Sequence, residues 1–303
     1  MKGVQLRRRI LSNWVLYLFL APAIAYIFLF NYVPIYGVQL AFKDFAASKG
    51  IWGSPWAGLK HFRELFGSPV FSRLINNILT LSLYGLAAGF PIPILLALML
   101  NSVPNRRFKK IVQNITYAPY FISTVVLCGM VILFLSPSSG VINSVIKLTG
   151  GKPVNFMQNA KLFPAIHVWS DVWKQTGWAS IIYLSALAGI SPELHEAATV
   201  DGANKLQRVF HIDIPGLMPT IVVMLMLSLG RLMNVGFEKI YLLQNSINLS
   251  KSEVISTYVY KVGMLNAQYS FSTAVSLFNN VINIVMLVAA NFLVKRLGQQ
   301  GLW

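Results

Sequence analysis

In HEAAT, residues 195–199, a histidine and a glutamate begin the H-E-x-x-H pattern of zinc hydrolases, but position 199 is threonine and the second imidazole is missing. His61, His167 and His211 lie elsewhere, His61 and His167 on other segments, and the single cysteine, Cys128, stands inside an apolar run. No disulfide can close within the chain, and no metal site is expected. A phosphate-cradling G-x-x-x-x-G-K-[ST] loop is absent too, so any energy for uphill work must come from a partner or an ion. What remains is charge in apolar surroundings: Asp171, Lys174 and Arg231, with Trp169, Trp173 and Trp178 beside the first two and Asn234 beside the third. Ionisable groups inside a bilayer are costly, so they mark a transport path or a neutralised pair. Asp171 and Lys174 stand three apart, on one helix face, and are able to pair, as path residues or as a mutually neutralised structural pair. Tryptophans there would stack on sugar rings or sit in the interfacial belt. No relay of buried carboxylates is present, which weighs against proton-coupled carriage.

A second concentration of polar residues lies in SPELHEAATVDGANKLQRVFHIDIPGLMPT, residues 191–220, which holds Glu193, Glu196, Asp201 and Asp213, four of the nine acidic residues, between long apolar runs. Pro192 with Glu193 and Glu196 suits a first helical turn, where negative charge meets the positive helix end. Gly202 ends that helix, ANKLQRVF starts a second, and Pro215 and Pro219 mark the beginning of the next span. Such a knuckle exposes Ala197, Ala198, Val200 and Phe210. A membrane-surface helix would carry basic flanks, whereas these are acidic, so the knuckle is expected to enter a groove on another protein.

The elements that must position these residues are membrane spans. Of 303 residues 55% are hydrophobic and 11% charged, and the mean hydropathy is +0.61; soluble chains carry about twice that charge. The net charge of +16 does not imply nucleic acid, because the basic residues gather at the ends of apolar runs. Six such runs are expected, near 12–33, 72–100, 111–135, 162–190, 215–236 and 271–295. The first is expected as an uncleaved span rather than a leader, since it is about long enough to cross a bilayer. GLAAG, Gly85–Gly89, is a G-x-x-x-G that allows close helix approach. Twelve basic residues (Lys2, Arg7–Arg9, Arg106, Arg107, Lys109, Lys110, Lys205, Arg208, Lys295 and Arg296) fall in four short segments on one side, against eleven spread over longer loops on the other. The density places both termini and the polar insert in the cytoplasm. The expected organisation is a cytoplasmic N-terminus 1–11, a membrane domain 12–295 containing a coupling loop 191–214, and a cytoplasmic C-terminus 296–303. The outer loops 34–71, 136–161 and 237–270, rich in proline, glycine and aromatics, are expected as folded caps.

Glu196-Ala197-Ala198, Gly202, Ile212, Ile214 and Pro215 have the spacing E-A-A-x3-G-x9-I-x-L-P, with isoleucine at 214 in place of leucine. In these residues the chain resembles the permease subunits of bacterial ABC importers, and Asp201-Gly202-Ala203 is similar to their carbohydrate-uptake branch. The stretches 17–45, 76–101 and 234–243 and the terminal GLW look like LplB-type permeases, which resemble the MalF-side subunits of oligosaccharide importers, including the first permease subunit of alginate importers. The resemblance implies an all-α type I importer permease with six transmembrane helices in the bacterial inner membrane. It implies a heterodimer with a second permease, two ATP-binding subunits that hold ATP and Mg, and an extracytoplasmic solute-binding protein. This chain would bind no cofactor and catalyse nothing. Glu196, Ala197, Ala198, Asp201, Gly202, Ala203, Phe210, Ile212 and Pro215 would couple it to the ATPase, and Asp171, Trp173, Lys174, Arg231 and Asn234 would lie along the substrate path. A permease for a non-sugar solute and an ion-coupled carrier stand as the alternatives.

Overall fold

The computed structural model describes residues 12–296. The expected segment 1–11, with Lys2 and Arg7–Arg9, and the terminal residues 297–303 lie outside the described residues. Every regular element among the described residues is helical, apart from one isolated antiparallel bridge between Lys43 and Trp56. Four helices are long and apolar enough to cross a bilayer: Trp14–Phe42, Pro69–Asn101, Lys205–Leu229 and Tyr269–Arg296. A fifth candidate, Arg106–Phe121 with Thr124–Phe134, bends by 100° at its break. The bend has local causes, for Pro119 sits in a 3-10 turn and the Ser123 hydroxyl accepts from Val126 N to start a new helix. The expected run 162–190 forms the 26-residue helix Phe163–Ala188, long enough to span but more polar than the others.

The run expected at 12–33 continues as helix to Phe42, the one expected from 111 begins at Arg106, and both ends of the run expected at 215–236 shift. The helix expected to begin at residue 215 begins at Lys205, because Asn204 and Gln207 exchange side-chain and backbone hydrogen bonds of 2.7 and 2.9 Å in a capping box. It passes through a π turn at Val209–Asp213 and stops at Leu229, so residues 230–236 are not helical.

The chain divides into two compact units. In Met1–Phe66 with Val262–Leu277, Phe45 N donates to Ser270 Oγ (2.9 Å), the Lys60 ammonium lies 3.0 Å from the Asp44 carboxylate, and the Phe45 and Tyr269 rings meet edge to face. In Gly67–Lys261 with Phe278–Trp303, the Phe163–Ala188 helix packs against Pro69–Gly89, Pro91–Asn101 and Ile214–Leu229. Ala97, Leu98, Tyr183, Leu187 and Leu217 form the core where these helices meet. Gly177 brings the Phe163–Ala188 helix against the Thr116 carbonyl and Tyr117 N of Arg106–Tyr117, so closely that any Cβ would collide with that backbone. The segments expected as outer loops do fold: buried Asn143 donates to the carbonyls of Leu135, Ser136 and Val154 and accepts from Val154 N. Buried Glu253 takes Arg73 at 2.5 Å and Lys261 at 3.6 Å.

Candidate functional site

Two places gather the chemistry. The first is the elbow formed by residues 191–215. Ser191 accepts from Glu193 N and caps the helix Pro192–Val200, with Glu193 in its first turn. The helix ends in a Schellman motif: Ala203 N donates to Ala198 O at 2.8 Å, Gly202 N to Thr199 O at 3.1 Å, and Gly202 has φ +81°. Only a left-handed residue reverses the chain there, which glycine does without steric cost. Asp201 N donates to Ala197 O, Arg208 reaches Thr199 Oγ1 at 2.8 Å, and His195 Nε2 lies 3.3 Å from buried Asp213, tying the first helix to the second. His195, the first residue of HEAAT, therefore serves this internal pairing. Leu194, Val200, Leu206 and Phe210 are more than half exposed, Glu196 is exposed, and Ile212 is half-buried. Pro215 lies in the first turn of the following helix. An apolar, outward-facing elbow on a rigidly capped frame is what a partner groove receives.

The second place is a cavity of about 350 Å³ in the larger unit, lined by residues from Pro69–Gly89, Phe90, Pro91–Asn101, Phe163–Ala188, Ile214–Leu229 and the irregular stretch 230–235. Three of the charged or polar path candidates, Asp171, Arg231 and Asn234, line it together; Trp173 and Lys174 do not. The helix stops just short of Arg231, at the C-cap Gly230, where an added Cβ would collide with the Leu287 side chain. Ser82 Oγ donates to Leu232 O, and Met233 N donates to Asn283 Oδ1 at 3.3 Å, which fixes the strip carrying Arg231 and Asn234. The Arg231 guanidinium has no hydrogen bond or ion pair among the described residues.

Asp171 does not pair with Lys174. Its carboxylate lies 2.7 Å from Lys239 Nζ and 3.5 Å from His167 Nε2. Lys239 belongs to the short helix Glu238–Leu243, 7% exposed, and donates also to His167 O at 2.7 Å. Burial pulls the Lys239 ammonium below the ordinary lysine range, and the Asp171 carboxylate pushes it back up. Sequence spacing reveals i, i+3 partners and hides this one; the signal for it was a lone lysine within the apolar, aromatic FEKIYLL. The tryptophans act elsewhere: Trp169 Nε1 donates to Tyr84 Oη at 2.7 Å and Trp178 stacks on Tyr120 at 4.4 Å. Gly85 and Gly89, expected to pack helices, line the cavity instead; a Cβ at Gly85 would meet nothing within 4 Å. Gly177 is one glycine that does pack closely, against the backbone of another helix. Among the described residues no group of three or more His, Cys, Asp or Glu is placed to hold a metal.

Residues 89–299 match the family profile described as "Binding-protein-dependent transport system inner membrane component". The polygalacturonan/rhamnogalacturonan transport system permease protein YteP of Bacillus subtilis is 40% identical over 302 residues, covering 100% of this chain and 94% of the relative. Protein LplB of the same organism is 38% identical, covering 100% and 95%. A crystal structure of a bacterial alginate ABC transporter in complex with alginate pentasaccharide-bound periplasmic protein contains a chain 41% identical to this one. That chain aligns at a TM-score of 0.89, over 97% of this chain and 99% of its own length.

Proposed function

The chain belongs to the binding-protein-dependent transport system inner membrane component family, and on that premise we propose that it is one permease half of an ATP-driven importer of acidic oligosaccharides. One observation carries the acidic reading. Arg231 lines the cavity with a guanidinium that has no partner among the described residues, while Asp171, the carboxylate in the described lining, is already occupied by Lys239. Uronate sugars bring one carboxylate per residue, and guanidinium binds carboxylate through a bidentate fork. Polygalacturonan and alginate, named for two of the similar proteins, are both polyuronates.

In this reading the chain pairs with a second permease, receives sugar from an extracytoplasmic solute-binding protein, and docks its elbow on one of two ATP-binding subunits. ATP and Mg stay with those subunits, and this chain catalyses no reaction. Closure of the ATPase pair would move Glu196–Phe210, and the helix rising from Lys205 would carry that motion to Met224, Ser228 and Arg231 in the cavity wall. Removing Arg231's charge in Arg231→Gln should lower uptake of an oligouronate by roughly 10- to 100-fold, the scale of a charged hydrogen bond, while a neutral oligosaccharide is little affected. Equal loss for both, with the complex falling apart on size exclusion, would assign Arg231 to subunit contact instead.

Six crossings follow if Phe163–Ala188 spans the bilayer with the five apolar candidates, which puts both termini and the elbow in the cytoplasm. Lys205 and Lys152 are both exposed. In intact cells a membrane-impermeant thiol reagent should label Lys152→Cys and spare Lys205→Cys. Labelling at 205 from outside overturns the orientation.

A further inference from the structure

An anionic substrate meets an obstacle in this cavity: Asp171 shares the wall with Arg231, and its side chain is 40% exposed. Left as a bare carboxylate it would repel a uronate and offset the arginine. Lys239 does not line the cavity. It reaches Asp171 from behind, with Nζ 2.7 Å from Asp171 Oδ1 and 2.7 Å from the His167 carbonyl, and it is 7% exposed. Its backbone is held on the far side as well, where Cys128 Sγ approaches Lys239 O at 3.9 Å. His167 Nε2 stands 3.5 Å from the second oxygen of Asp171. The ammonium therefore has a fixed position and a single carboxylate to neutralise.

We infer that Lys239 is a specificity-determining residue that acts through Asp171: it cancels the carboxylate from outside the cavity and leaves Arg231 as the charge that an incoming sugar encounters. The inference rests on the acidic-substrate reading. It differs from a merely structural role in one respect. A broken structural pair impairs every substrate alike, whereas an uncovered carboxylate discriminates by charge.

Oligogalacturonate and its fully methyl-esterified form share one backbone and differ in charge, so the ratio of their uptake rates isolates the effect. With the complete transporter in proteoliposomes and its solute-binding protein present, the wild type should favour the acid. Lys239→Met should lower the acid-to-ester ratio by about tenfold through like-charge repulsion. Lys239→Arg should keep it, and Asp171→Asn combined with Lys239→Met should recover most of it. Equal losses of acid and ester in Lys239→Met, or no recovery in the double variant, overturn the inference. Should Lys239→Met fail to assemble, Asp171→Asn alone should raise the ratio above wild type, and an unchanged ratio overturns the inference equally. A wild type that does not favour the acid, including one that takes up neither compound, overturns the acidic reading itself.

Discussion

Gly202→Val is expected to leave the protein inserted in the membrane and to abolish both coupled uptake and substrate-stimulated ATP hydrolysis. Gly202 holds φ +81°, and an added side chain would meet no atom within 4 Å, so the cost is conformational and not steric crowding. The left-handed region costs an L-residue about 1–2 kcal/mol, and a β-branched residue resists it most. Valine would leave that region, breaking the bonds from Ala203 N to Ala198 O and from Gly202 N to Thr199 O, and the second short helix would point elsewhere. The apolar set Leu194, Val200, Leu206 and Phe210 would then no longer form one surface. Asparagine tolerates the left-handed region, so Gly202→Asn should retain much of the activity. Full coupled uptake by the valine variant would make the elbow a passive loop.

Gly177→Ala should destabilise the assembled protein, although alanine is favoured over glycine in a helix by roughly 1 kcal/mol. The Cβ would be driven into the Thr116 carbonyl and Tyr117 N, which are helix backbone and cannot rotate aside. Overpacking of this kind costs typically about 1–3 kcal/mol, which outweighs the gain in propensity. Gly177→Leu should be worse still and displace the helix that bears Asp171. Thermal inactivation of the purified complex in detergent measures the sign. An alanine variant as stable as its parent would mean that the two helices do not touch as described.

The parts of the site that were legible in the sequence are those made by neighbours in the chain. Ser191, Pro192 and Glu193 start a helix, and Gly202 ends it, through bonds that span no more than five residues. The elbow could therefore be read from residue types and spacing. The cavity could not. Asp171 and Lys174 have the spacing of a helical pair, yet a lysine on a separate helix takes the carboxylate, because a buried ammonium with few partners needs it more than an accessible one does. G-x-x-x-G likewise records small residues without saying whether a helix or an empty space lies opposite. Gly85 faces space and Gly89 has only the edge of the Val172 side chain opposite it, whereas Gly177, in no such motif, faces backbone. Arg231 was visible as a charge in an apolar stretch, but the irregular strip that carries it is held by Ser82 and Asn283, residues far apart from it in the chain.

The helix that begins at Lys205 and ends at Leu229 is one continuous span of 25 residues, roughly 35 Å long, broken in regularity by the π turn and Pro219. Its foot belongs to the elbow, and its upper turns, at Met224 and Ser228, form part of the cavity wall. A rod of that length tilted by about 10° at its base displaces its tip by some 6 Å, close to one helical turn. In the proposed importer the span would work as a lever with the long arm toward the sugar. The π turn at Val209–Asp213 lies just above the foot, where a compliant joint would reduce that gearing most, and His195 Nε2 stands 3.3 Å from Asp213 at its end.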